Sequence, residues 1–411
     1  MTDTTHSPSR GPLAGCRVLE LGSTIAGPFC GRLLADFGAE VVKVESPEGD
    51  PLRSMGNRVD GVSLYVATLL RNKQVAAIDL RRPEGQDIVR RIAEGCDILI
   101  ENFRPGALEK WGLGYEVLSR TNPRLVMVRI SGFGQTGPYS QRAGYGIVAE
   151  AVSGLRTLIG DPDRPPARVA IPLTDYITGL YAAFGAVMAI NARHSSGRGQ
   201  VVDAALYEGA FSFLDQLVPA YEKTGVVGSR TGARMDNSAP NTLYPSADGQ
   251  YVQVTAIADA VFRRLAATIG RDDLPADARF ASAVLRATNR DALDEIISAW
   301  SRTLDAATME DRLNAAGVPA ARVFTMPDIF RDPHFRARGM LTDTPHDELG
   351  SVTLASPVPR LSDTPGRIRH AGRGVGHDTA EVLRTLAGLD AATIEQLAAQ
   401  GIVSIGHEAK K

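Results

Sequence analysis

The stretch CRVLELGSTIAGPFCGRLLADFGAEVVKVE, Cys16 to Glu45, decides the fold. CRVLEL (16–21) predicts a strand. Pro28 to Phe37 predicts a helix, with proline near its start and Gly38 closing it. EVVKVE (40–45) predicts a second strand. Strand, helix and strand in this order, with apolar runs rather than alternation, indicate a parallel sheet covered on both faces.

The same rhythm continues outward. A helical stretch near Leu64–Leu70 precedes VAAIDL (75–80), and Pro83 to Gly95 has proline and glycine at the two ends of a helix. DILIE (97–101) and RLVMVRI (124–130) are further strands. Thr174 to Ala192 reads as a long buried helix, GQVVDAAL (199–206) as a strand, and about Tyr207 to Glu222 as one helix. The run after Lys223, GVVGSRTGARMDNSAPN, is rich in Gly, Ser and Asn and reads as a linker. A smaller unit follows, with QYVQVTA as a strand and helices near 259–269, 290–302 and 305–316. Beyond about 340 the prolines Pro345, Pro357, Pro359 and Pro365 suggest irregular chain, closed by helices near 378–387 and 391–400.

Composition narrows the function. The chain has 411 residues, with 45 Lys+Arg against 47 Asp+Glu. This balance lacks the basic excess of a nucleic-acid binder. Cys16, Cys30 and Cys96 include no C-x-x-C pair, which argues against a disulfide framework or a cysteine zinc site. The seven histidines show no metal-ligand spacing, so no metal is expected. The first ten residues lack the apolar segment of a signal peptide. The longest uncharged stretch, Tyr176 to Ala192, is shorter than a membrane span and is diluted by Gly179, Gly185 and Asn191. The expected compartment is the cytoplasm, with no membrane partner.

Gly132-Phe-Gly134-Gln-Thr-Gly137 follows a predicted strand and matches G-x-G-x-x-G. A dinucleotide site needs a helix to open there. Pro138 and more glycine follow instead, which predicts a loop. No P-loop, G-x-S-x-G or H-E-x-x-H occurs. The carboxylate that stands out is Asp175, at the start of the most apolar helix, with Thr174 as a candidate N-cap. Asp at a helix start also has a purely structural explanation.

Several segments together resemble one family. They are LAGCRVLELGSTIAGPFCGRLLADFGAEVVKVESPEGDPLR, LLRNKQVAAIDLRRPEG, ILIENFRPGALEKWGLGYEVL, SGFGQTGPYSQRAGY, IPLTDYITGLYAA and RHSSGRGQVVDAALYEG. In order and spacing they resemble the class III coenzyme A transferases (the CaiB/BaiF family), which also include 2-methylacyl-CoA racemases. The resemblance continues through GVPAARV, DPHFRARGM and GHDTAEVL.

The resemblance implies an α/β fold with a discontinuous Rossmann-like large domain and a smaller α+β domain. It implies a large domain over 11–222, a linker over 223–241, a small domain over 242–335, and a return to the large domain over 336–411. It further implies an interlocked homodimer.

The activity it implies is movement of CoA from an acyl-CoA donor, such as succinyl-CoA, to a small mono- or dicarboxylic acid. Asp175 stands at the position of the family's catalytic aspartate, which reacts through an anhydride and an aspartyl-CoA thioester. CoA and acyl-CoA are then substrates, and no separate cofactor is implied. Ser23, Thr24, Ile25 and Ala26 match the turn that contacts CoA, and Asn102 and Phe103 lie along its site. Arg71, Lys73 and Lys110 are candidate phosphate partners, and Arg104 is a candidate CoA-binding residue. His377 reads as structural. Racemases of the family carry Gly-His-Asp where this chain has Gly144-Tyr145-Gly146. Free tyrosine titrates near pH 10 and is a poor proton acceptor at neutrality. The transferase reading is therefore favoured over a racemase, with Tyr145 free to bind a carboxylate.

Overall fold

A computed structural model describes residues 11–235 and 237–406. The chain divides into two compact units. The first is formed by residues 11–155, Val169–Glu222 and 334–406, and the second by Arg156–Arg168 and Lys223–Pro333.

Six parallel strands build the first unit: β1 (Arg17–Glu20), β2 (Glu40–Glu45), β3 (Lys73–Ile78), β4 (Ile98–Glu101), β5 (Val126–Ser131) and β6 (Val201–Ala205). Their order is β3-β2-β1-β4-β5-β6, all parallel. The chain winds outward from β1 to β3 and then restarts at β4 on the other side of β1. The carboxyl ends of β1 and β4 therefore flank a topological switch point, where open α/β sheets form their binding crevice.

Apolar side chains on both faces hold the sheet. On one face Leu19, Val42, Ile78 and Leu99 pack with helix α2 (Pro83–Glu94). On the other, Val41, Ile98, Val128 and Ile130 pack with α1 (Ala26–Asp36). Three further helices matter for the site: α3 (Gly146–Val152), α4 (Leu173–Ser196) and α5 (Leu206–Phe211).

Helix α4 is long and apolar enough to cross a membrane by length and composition alone. The expectation of a buried helix is corrected by its two faces. Ala182, Ala183, Ala186 and Ala189 are buried in the core that includes α1 and β5. Leu180, Tyr181, Phe184, Val187 and Met188 recur at helical spacing on an exposed face.

The end of the chain closes the sheet edge. Asp378 and Thr379 accept from the Val75 and Ala77 amides of β3 at 2.8 and 2.9 Å. Val403–Ser404 then pairs antiparallel with β3. His377 lies in this return, 3.1 Å from the Asp378 carboxylate.

Four expectations change. The helix expected over Tyr207–Glu222 is interrupted at Asp215, whose φ is +28°. The chain beyond 340 is not irregular throughout. Leu341–His346 and Gly350–Ala355 form an antiparallel two-stranded sheet, which tolerates Pro345 because no third strand needs its amide. Arg156–Arg168 clusters with the second unit, because Arg230 donates to the Asp161 carbonyl and the Gly232 amide donates to Gly160. Asn241–Pro245, partly assigned to the linker, is a strand.

The second unit has a three-stranded antiparallel sheet, Ala320–Arg322, Tyr251–Thr255 and Asn241–Pro245. Helices Asp259–Thr268, Arg290–Ser301 and Ala306–Ala315 supply Phe262, Ile297 and Met309 to its core.

Candidate active site

Two loops meet at the switch point and lock together. Asn102, after β4, accepts from the Ser23 amide at 2.7 Å and donates to the Ser23 carbonyl at 2.8 Å. One side chain thus satisfies both backbone groups of Ser23. Gly22 and Gly27 approach so closely that a Cβ on either would lie 3.0 Å from the other's Cα.

The glycine-rich segment after β5 forms the next wall. A Cβ on Gly132 would sit 2.6 Å from the Gly144 Cα. The first glycine of the dinucleotide-like motif therefore serves a backbone crossing within the loop. The Gly134 amide donates to Ser131 Oγ at 2.9 Å, and the next helix opens only at Gly146.

Helix α4 completes the site. Its N-cap is Pro172, not Thr174, so Asp175 is the third residue of the first turn. The Thr174 hydroxyl donates instead to the Gly146 carbonyl at 2.8 Å, which ties α4 to the start of α3. Asp175 borders a cavity of about 150 Å³ lined by Ser23, Thr24, Ile25, Ala26, Asn102 and Tyr145, together with Ser131, Gly132, Gly144 and Gly146. Burial pushes the Asp175 carboxyl up to about 6, against the opposing pull of a backbone hydrogen bond. At neutral pH it is still ionised by about ten to one. Burial raises the thiols of Cys16, Cys30 and Cys96 as well, the first and last to about 12, so none is a thiolate nucleophile.

A second cavity of about 260 Å³ shares Ser23 with the first. Phe103 and Trp111 line it, packed edge to face with centroids 5.2 Å apart. Leu21, Val44, Ile78 and Leu80 complete its apolar side. Arg104 and Lys110 are exposed on the segment after β4, and neither forms an ion pair among the described residues.

Two expected phosphate partners are corrected. Arg71 is buried, with its guanidinium on the Asp36 carboxylate at 2.6 and 3.0 Å and on the Ala355 carbonyl at 2.6 Å. Lys73 is also fully buried, 2.6 Å from Glu20 and 2.7 Å from the Pro28 carbonyl. Neither presents its cation to a ligand. Sequence reasoning also missed Lys43, Asp50 and Trp111. A lysine amid the apolar run of EVVKVE was the available signal for Lys43, because a charge in a doubly covered strand needs a partner.

Among the described residues no group of three His, Cys, Asp or Glu side chains is placed to hold a metal ion.

Residues 13–379 match CoA-transferase family III. This chain belongs to that family. A succinyl-CoA–D-citramalate CoA-transferase of Chloroflexus aurantiacus is 44% identical over 394 residues, spanning 95% of this chain and 98% of the relative. The beta subunit of a succinyl-CoA–L-malate CoA-transferase from the same organism is 40% identical, spanning 95% and 98%. A crystal structure of a CAIB/BAIF family protein from Brucella suis superposes with a TM-score of 0.83 at 35% identity, covering 92% of this chain and 99% of that one. The chain is a family III CoA-transferase, and these relatives do not favour the racemase alternative.

Proposed function

We propose that this family III enzyme moves CoA from succinyl-CoA to a small dicarboxylic acid, with Asp175 as the covalent nucleophile. The observation that carries the reading is the convergence on one cavity of Asp175 with Ser23–Ala26, Asn102 and Tyr145, which come from separate segments of the chain. The donor and acceptor class follow the two Chloroflexus relatives, whose acceptors are named as D-citramalate and L-malate.

The ionised Asp175 attacks the thioester carbonyl, and CoA thiolate leaves from the tetrahedral intermediate. A succinyl–aspartyl anhydride results. The thiolate attacks the aspartyl carbonyl, giving an aspartyl-CoA thioester and free succinate. The acceptor carboxylate displaces the thiolate to form a second anhydride. Thiolate attack on the acceptor carbonyl then regenerates the Asp175 carboxylate. No proton is consumed, so the site needs no separate base. Its burial strips water from the nucleophile and protects both anhydrides from hydrolysis. Each correctly placed backbone donor to the developing oxyanion is worth about 2.7–4 kcal/mol.

CoA runs from the Phe103–Trp111 cavity past Ser23 to Asp175, with Arg104 and Lys110 toward its phosphates. The cavities' shared residue supports this path. CoA is substrate, and no further cofactor is required. A homodimer covers the exposed apolar face of α4, and three unpaired cysteines suit the reducing cytoplasm. The near-neutral charge favours neither nucleic acid nor an anionic membrane as partner.

The test is a panel of free mono- and dicarboxylic acids with succinyl-CoA, read by mass spectrometry for new thioesters. A small dicarboxylyl-CoA is the expected product. Substantial transfer by a folded Asp175→Ala variant would end the assignment of the nucleophile.

A further inference from the structure

The turn leaving β1 holds a backbone conformation that its sequence disfavours. Thr24 has φ +68°. For a β-branched residue this left-handed region is an outlier. It costs about 1–3 kcal/mol and persists only where the surroundings impose it.

Three contacts impose it. Lys43 Nζ donates to the Gly22 carbonyl. Asn102 holds both backbone groups of Ser23. Asp50 Oδ1 accepts from the Thr24 amide at 3.1 Å, while its Oδ2 accepts from Lys43 Nζ at 2.7 Å.

Asp50 is itself immobilised. Its Oδ1 caps the Leu52 amide at 2.9 Å, and its own amide donates to Glu45 at 2.8 Å. Arg53 grips Glu45 at 2.6 and 2.8 Å. Lys43 is 1% exposed and Asp50 5%. Two such ions lose their hydration, so the pair contributes little net stability. What it supplies is direction: one carboxylate ties the end of β2 to the single strained residue of the turn.

Neither Lys43 nor Asp50 borders the cavity of Asp175, whereas Thr24, Ile25 and Ala26 all do. We propose that Asp50 is a positioning residue for the transfer reaction: paired with Lys43, it holds Thr24 left-handed and so keeps the Thr24–Ala26 wall in register with Asp175. This rests on Asp175 being the nucleophile. A misplacement of about 1 Å in such a wall costs roughly a hundredfold in rate.

The test uses glycine's freedom to adopt positive φ without a clamp. Turnover is measured for Asp50→Ala in the native background and together with Thr24→Gly. The expected loss in kcat is about tenfold or more in the native background and less than about threefold beside Thr24→Gly. Asp50 also borders the Phe103 cavity. A lost CoA contact would be insensitive to Thr24→Gly, and so would a general loss of stability, so equal losses in both backgrounds overturn the proposal.

Asp50→Ala strands a buried lysine. If it does not fold, Lys43→Met with Asp50→Leu removes both charges and keeps the branching and heavy-atom number of the Asp50 side chain. The same loss and the same relief by Thr24→Gly are expected, and full activity of the Lys43→Met, Asp50→Leu variant also overturns the proposal. Asp175→Ala is run beside them. Its retained activity would refute the nucleophile. An inactive Asp175→Ala beside fully active Asp50 variants would refute the positioning role alone.

Discussion

The Asp175 carboxylate occupies the space that a side chain on Gly146 would fill. A Cβ built there lies 2.9 Å from Asp175 Cγ and closer still to Oδ2, and its three nearest atoms all belong to that carboxylate. Gly146 is the first residue of α3, where alanine is acceptable to the backbone. Gly146→Ala is therefore expected to fold with nearly unchanged stability and to lose about tenfold to a hundredfold in kcat by displacing the nucleophile. Circular dichroism with steady-state kinetics checks both halves. Full activity would mean that Asp175 does not react from this position.

The pH profile should report the same carboxyl. Burial raises its pKa to about 6, and the ionised form is the nucleophile. Activity is thus present above that value and lost as pH falls through it. The value of kcat/KM for acyl-CoA should drop about tenfold per pH unit below pH 6 and level off above pH 7. A flat profile down to pH 5 would contradict the assignment.

Stability should run the opposite way. The folded-state pKa lies above the carboxyl's ordinary value of 3.8, so the folded protein binds this proton more tightly than the unfolded chain. Its contribution to stability is full below about pH 4 and is lost as pH rises through about 6. At pH 8 the buried charge costs roughly 1–3 kcal/mol. Asp175→Asn should then raise the melting temperature at pH 8 by a few degrees and much less at pH 4, while abolishing transfer. Equal shifts at both pH values in a thermal melt would show that burial does not strain the carboxylate.

The parallel sheet was legible because its strands are covered on both faces. EVVKVE is legible as a strand over 40–45, and the structure has β2 at Glu40–Glu45. The Leu341–His346 and Gly350–Ala355 pair was not, because Pro345 masks the alternation of a strand that lacks a third partner. Asp175 stands out in the pattern as a carboxylate opening the most apolar helix, whereas its role, Asn102 and the Ser23–Ala26 turn come from family likeness, and the cavity brings them together. Arg71 and Lys73 are candidate phosphate partners by family likeness alone, and the fold turns both inward onto buried carboxylates. Lys73 meets Glu20 from 53 residues earlier, and no local pattern encodes such a partner. The role of Gly146 was equally hidden, since a glycine shows what it excludes only when its neighbours are in place.

The clamp between Asn102 and Ser23 gives a prediction in which the near-isosteric change is the damaging one. Asn102 accepts from the Ser23 amide through Oδ1 and donates to its carbonyl through Nδ2. Asn102→Ala removes two hydrogen bonds, each worth about 0.5–1.5 kcal/mol. Asn102→Asp keeps the shape and the acceptor but sets a carboxylate oxygen against the Ser23 carbonyl, with no proton between them. Asn102→Asp should therefore lose at least as much kcat as Asn102→Ala, despite preserving more atoms. Kinetics of the two variants at pH 7.5 decide it. If Asn102→Asp retained wild-type turnover, the amide would not be holding the turn through its Nδ2 donor, and Ser23 would be fixed by its other neighbours alone.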